Sequence, residues 1–151
     1  MSANCDTVSS KTAEKWLAAA RRETDPVDRF VMLWTAFQWL YGAETVKKES
    51  LQVENYARSH SRLLERFDAF SDPQIEVFRK AMVADVRTGS SGTYRYQRLL
   101  NGSVPDLLAT LLQIRRNLFA GSPFPATERG RDLIAASGSF LERYLSALLE
   151  P

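Results

Sequence analysis

Arginine is the residue of this chain best supplied with chemistry, and its arginines are unevenly placed. Between Val86 and Arg131 lie seven (Arg87, Arg95, Arg98, Arg115, Arg116, Arg129 and Arg131) against two acids, Asp106 and Glu128. A guanidinium presents a planar fork of donors that matches phosphate oxygens, and it stacks on bases, so the stretch suits a polyanion. Solvated loop arginines would give the same charge count. Position narrows the choice. Leu107, Leu111, Ile114 and Leu118 recur at helical spacing, and Arg115 falls about 40° from Leu111, inside that apolar sector, with Arg116 near its edge. An unpaired charge in a core costs several kcal/mol. Arg115 therefore needs a carboxylate, a polar partner, a subunit seam or a phosphate, unless its head snorkels out to water. Gln38 is a matching oddity four residues after Trp34, on the face of Phe30, Trp34 and Tyr41. A buried amide there wants partners; the alternative is a boundary glutamine reaching water.

Other chemistries are excluded or weakly supplied. One cysteine, Cys5, forms no intrachain disulfide, and with a single histidine, His60, there is no Cys/His metal site; the acids follow no metal-ligand spacing. No metal and no cofactor are expected. No run of about 18 apolar residues suggests a membrane span, and the polar first twelve residues lack the apolar stretch of a signal peptide. The expectation is a soluble protein of a reducing compartment, the cytoplasm. A net charge of +2 is too small to name a partner.

Six helical segments can carry these residues. Residues 1–9 are patternless and are expected to be a disordered leader to a single helical domain over 10–151. A first helix over 10–23 has Ala13, Trp16, Leu17 and Ala20 at helical spacing. Asp25-Pro26 is a strong start signal, an acid able to cap free backbone donors followed by a proline at the first helical position. The helix over 26–41 puts Phe30, Trp34, Phe37 and Tyr41 on one face, and Gly42 is placed to stop it. A third helix reads over 49–70 with His60 in its stripe, and a fourth, shorter, over 73–84. Residues 87–103, with glycines, serines, Tyr94 and Tyr96, read as an irregular loop or insert. A leucine-rich helix over 104–119 and a last one over 127–149 complete the chain. With no repeat and no alternating strand pattern, the class is all-α, a compact bundle of five to six helices.

The segment Leu112-Gln113-Ile114-Arg115-Arg116-Asn117-Leu118-Phe119-Ala120-Gly121-Ser122 resembles the signature of HEPN domains. In that signature an arginine, four intervening residues and a histidine, often R-N-N-L-F-H-G, close a helix before a loop. The match falls on Arg115, Asn117, Leu118, Phe119 and Gly121; Arg116 stands at a position the family varies. Residues 29–42, with Trp34-Thr35-Ala36-Phe37-Gln38-Trp39-Leu40-Tyr41-Gly42, are similar to the early helix of the Apea-like branch. The two segments keep the family order, and together they cover about a quarter of the chain. Residues 47–103 add only helicity.

The resemblance implies a bundle that pairs as a homodimer, two motifs meeting in one cleft, and metal-independent RNA cleavage. The ribose 2′-hydroxyl attacks the adjacent phosphorus and leaves a 2′,3′-cyclic phosphate and a 5′-hydroxyl. Arg115 would stabilise the charge on the phosphorane oxygens. Asn117 would orient the phosphate or the imidazole, Arg116 would assist or bind the backbone, and Gln38 would support the site. Arg95, Arg98 and Tyr94 would contact RNA. The departure is Ala120, which stands where the family has its proton-transferring histidine. His60, on another helix, is a poor substitute. Losing a positioned acid/base costs about 10²–10⁴-fold in rate, so this exact chain should be nearly inactive. Either Ala120 is an engineered substitution, which the near-intact motif around it favours, or the domain is naturally non-catalytic. The functions in competition are therefore three. One is a toxin or phage-defence endoribonuclease, restrained by a nucleotidyltransferase-like antitoxin partner. Another is an RNA-binding or dimerisation module using the 87–98 arginines. The third is an adaptor docking a protein through the off-stripe Trp39.

Overall fold

Asp25 begins the best-defined element. Its side chain accepts a hydrogen bond from the Asp28 backbone N–H at 2.9 Å, and Pro26 occupies the first turn where no N–H is needed. The computed structural model describes residues 3–42, 47–60, 83–84, 94–96, 104–120 and 126–150. Their elements are α1 (Ala3–Arg22), α2 (Pro26–Tyr41), α3 (Glu49–Ser59), β1 (Val83–Ala84), β2 (Tyr94–Tyr96), α4 (Val104–Phe119) and α5 (Glu128–Leu149). The class is all-α, a compact bundle with five helices among the described residues. α2 lies against both α1 and α5, and α3 lies against α4.

Several boundaries differ from expectation. α1 begins at Ala3, so the leader expected over 1–9 is helical from its third residue. α3 stops at Ser59 rather than 70, with His60 at its C-cap, outside helical geometry at φ −111° and ψ 36°. At the stop, His60 Nδ1 lies 2.8 Å from the Tyr56 carbonyl oxygen, the atom a continuing helix would bond to the His60 N–H, and the Ser59 hydroxyl donates to the same oxygen at 2.9 Å. The fourth helix, read through 84, does not include Val83–Ala84. That pair forms an antiparallel ladder with Tyr94–Tyr96, in a register that shifts between Val83↔Tyr96 and Ala84↔Tyr94. So part of the segment read as an irregular insert is extended and paired, and the pair packs beside α4. Two or three residues are too short for a period of two to show in a sequence. The remainder of 61–103 lies outside the described residues.

Aromatic packing centres on α2. Phe30, Leu33, Trp34, Ala36, Phe37 and Tyr41 are buried. Phe37 meets the edges or faces of Trp34, Tyr41, Tyr56 and Tyr144 at centroid distances of 5.3, 4.9, 5.8 and 5.8 Å. It joins α2, α3 and α5 at one point. α4 is the interior helix: Leu107, Leu108, Leu111, Leu112, Ile114, Gln113 and Asn117 are all buried, which covers nearly its full circumference. Its sequence suggested one stripe; neighbours on several sides bury the rest.

Glycine is required at one helix end and replaceable at another position. Gly42 follows α2 in right-handed helical geometry, φ −62°, so it is not the left-handed stop that its type suggested. A Cβ there would lie 2.7 Å from the Gln38 carbonyl oxygen, which excludes a side chain without movement. Gly138, buried in α5, has room: a Cβ would sit 3.8 Å from a Leu33 methyl, an ordinary contact. Gly138→Ala should therefore raise stability by about 0.5–1 kcal/mol through helix propensity. Urea unfolding reads this directly, and a lowered midpoint would show that α2 and α5 cannot spare the space.

Candidate functional site

Arg115 and Arg116 sit in the last turns of α4, half-buried because the helix ends one turn later and lets their heads reach the surface. Neighbouring residues on a helix diverge by about 100°, yet both guanidinium groups turn to one oxygen. Arg115 Nη1 lies 3.8 Å and Arg116 Nη2 3.7 Å from Oε1 of Glu49, the first residue of α3. These separations allow charge attraction and exceed hydrogen-bond length. The other oxygen is held firmly: the Tyr41 hydroxyl donates to Glu49 Oε2 at 2.6 Å, and the Trp34 indole N–H donates to the Tyr41 oxygen at 3.1 Å. A chain of polar contacts thus runs from the core of α2, through the start of α3, to the arginines of α4. Of the partners open to Arg115 (a carboxylate, a polar group, a subunit seam, a phosphate or water), the described residues supply a carboxylate shared with Arg116 at long range, while the side chain stays 25% exposed.

The rest of the motif divides into buried and exposed parts. Asn117 is fully buried and its Oδ1 accepts from the Gln113 amide at 2.9 Å. In the single chain its side chain is enclosed in the interior. Gln113 Oε1 is buried without a hydrogen-bond partner among the described residues. Phe119 is 65% exposed, and the Arg115 guanidinium carbon stands 5.4 Å from its ring centroid, within cation–π range. Ala120 is exposed directly after α4, its N–H donating to the Asn117 carbonyl at 3.3 Å. The exposed aromatic, the two arginines and position 120 therefore share one end of one helix.

Gln38 and His60 are not part of this cluster. Gln38, either a buried amide or a boundary glutamine on its sequence position, is exposed, the second of the two. The buried sector of α2 centres on Phe37, and Gln38 lies about 100° round from it, beyond Trp34; sharing an edge with Trp34 was not enough to bury it. His60 is at the far end of α3 from Glu49, about 16 Å along the axis at 1.5 Å per residue. Its ring stacks near Tyr56 at 4.1 Å and bonds the α3 backbone, a structural role. Tyr94 and Arg95 lie on β2 beside α4, while Arg98 is outside the described residues. Trp39 is 45% exposed, as its off-stripe position suggested. Glu49 and Tyr41 were not recognised as site residues. Tyr41 looked like an ordinary core aromatic, and nothing in a sequence ties an acid at the start of one helix to an arginine near the end of another.

Two buried phenols carry a pH signature. Burial pushes the Tyr41 hydroxyl up from its ordinary value; Glu49 adds to this as hydrogen-bond acceptor and as negative charge, while Trp34 and Arg115 oppose it. Burial likewise raises Tyr144, with Tyr56 contributing. A phenol whose folded pKa lies above its unfolded value of about 10 stabilises the fold fully below pH 10, and that stability is lost as pH rises further. The thermal midpoint should accordingly hold to about pH 10 and then fall, and Tyr144→Phe should soften the fall. An alkaline profile identical in the two proteins would remove Tyr144 from this account.

Among the described residues no group of three or more His, Cys, Asp or Glu side chains could hold a metal ion, and no helix is long and apolar enough to cross a membrane. No protein-family model, curated protein or solved structure matches the chain.

Proposed function

We propose that this chain is a HEPN-type endoribonuclease domain, of the toxin or phage-defence kind, whose proton-transfer position is occupied by Ala120. The observation that carries the reading is the convergence of Arg115 and Arg116 one turn before Ala120, at a helix end that also presents Phe119. An RNA phosphodiester would lie against the arginine pair. Attack by its 2′-hydroxyl forms the new P–O2′ bond and breaks P–O5′, giving the cyclic phosphate and a 5′-hydroxyl. Arg115 offsets the charge that builds on the non-bridging oxygens. A proton must leave the 2′-oxygen and another must reach the 5′-oxygen, and a methyl group at 120 does neither. A second copy of the chain would complete the cleft, and an antitoxin would restrain the active form in the cytoplasm.

A second reading is a non-catalytic RNA-binding or dimerisation module. Ala120 itself favours it, and so does the buried position of Asn117. One experiment separates the two: purified Ala120→His protein is incubated with RNA and the products are examined for 2′,3′-cyclic phosphate ends. Cleavage supports the enzyme; an inert protein that still binds RNA supports the module.

A further inference from the structure

We propose that Glu49 is a tethered counter-anion, its carboxylate holding the place that a phosphodiester of single-stranded RNA takes between Arg115, Arg116 and the Tyr41 hydroxyl. The inference rests on the function proposed above and adds a regulatory part to the same site. A carboxylate and a phosphodiester have in common a single negative charge and two terminal oxygens. The donors around Glu49 are those an oxyanion requires: two guanidinium groups from one side, and a hydroxyl fixed by Trp34 from the other. The fit is uneven in a telling way. The Tyr41 contact is short at 2.6 Å, whereas the arginines stand off at 3.7 and 3.8 Å, so their N–H groups remain available for shorter, bidentate bonds.

Charge and access agree with this role. Two arginines and one glutamate leave the cluster at +1, which suppresses but does not cancel its attraction for a polyanion. The side chains of Glu49, Arg115 and Arg116 are 27%, 25% and 20% exposed, open enough to exchange one anion for another, whereas Tyr41 is buried, so its hydroxyl meets the phosphate only as the Glu49 carboxylate moves aside. The exposed Phe119 ring beside Arg115 offers a stacking face to the base next to the bound phosphate. Empty, the site is held together by its own carboxylate; loaded, that carboxylate is displaced and Tyr41 changes partner.

The test measures binding of a fluorescein-labelled single-stranded oligoribonucleotide by anisotropy to the unmodified protein and to Glu49→Gln, each at several salt concentrations. Glu49→Gln keeps the shape and an acceptor for Tyr41 but removes the competing charge. It should bind about three- to tenfold tighter, with a log–log salt slope that differs by up to about 0.7, because the free unmodified protein neutralises the arginines with its own carboxylate rather than with ions from solution. In the unmodified protein, the Trp34 indole N–H resonance, assigned by Trp34→Phe, should shift as RNA is added, because its Tyr41 partner is released from Glu49. Equal or weaker binding by a folded Glu49→Gln protein overturns the counter-anion role. So does a Trp34 resonance that stays fixed while RNA binds, a readout that holds even if the variant fails to fold. The double substitution Arg115→Ala, Arg116→Ala separates the two levels. If it weakens RNA binding while Glu49→Gln fails to tighten it, only the role of Glu49 falls. If it has no effect, or if the unmodified protein and Glu49→Gln both bind no RNA, the phosphate site itself falls.

Discussion

Ala120→His should raise RNA cleavage by about 10²–10⁴-fold over the chain as it stands, the contribution of one positioned acid/base. The site favours such a gain because the substitution asks for little rearrangement. Residue 120 is exposed and follows directly on α4, so an imidazole there meets water and substrate rather than the core. Its unperturbed pKa of about 6.5 places the proton exchange near neutrality. The arginine pair that would face the same phosphate is already gathered by Glu49. Adding Arg115→Ala to Ala120→His should then remove about 10²–10³-fold of the cleavage, the loss seen when one oxyanion donor is deleted. The two changes must act on one reaction. Full cutting by the doubly substituted protein would show that Arg115 does not carry the transition-state charge. No cyclic-phosphate product from Ala120→His alone would return the domain to a binding role.

Phe37→Ala should destabilise the fold by about 3–5 kcal/mol, lowering the thermal midpoint by about 10 °C. Phe37 is wholly buried and meets four aromatic rings contributed by α2, α3 and α5. Truncation removes the ring and leaves a cavity that three separate helices cannot all close, because each is held by other contacts. The loss should reach the site as well, since Tyr41, the residue that anchors Glu49, packs against Phe37 at 4.9 Å. Phe37→Leu, which fills most of the volume, should recover a large part of the stability. A change under about 1 kcal/mol in calorimetry for Phe37→Ala would mean that the core is looser than its ring contacts suggest.

How much of this was legible beforehand follows from the range of the forces involved. Asp25-Pro26 and the leucine-rich run of α4 act within one or two turns, and with helical periodicity they mark helices whose observed limits, Pro26–Tyr41, Val104–Phe119 and Glu128–Leu149, agree closely with the sequence reading. His60 and Val83–Ala84 show the limit of such reading. α3 ends at Ser59, where side chains bond the Tyr56 carbonyl although the apolar stripe continues in the sequence, and a two-residue strand has too few residues to show a period. The position of Arg115 in an apolar sector was equally local, and it raised the question of a partner without choosing among a carboxylate, a polar group, a subunit seam, a phosphate and water.

Which counter-ion it found was not local. Burial of Asn117 depended on how many neighbours surround α4, and exposure of Gln38 depended on which flank of α2 is covered. Amino-acid order alone therefore determined the limits of the helices Pro26–Tyr41, Val104–Phe119 and Glu128–Leu149, the all-α class and the clustering of arginine towards the C-terminal half. Only tertiary packing decided that a carboxylate from α3, steadied by a tyrosine and a tryptophan of α2, stands between the two guanidinium groups of α4. Helical periodicity says which way a side chain points from its own axis; it carries no information about the distance to another helix, and electrostatic pairing depends on that distance.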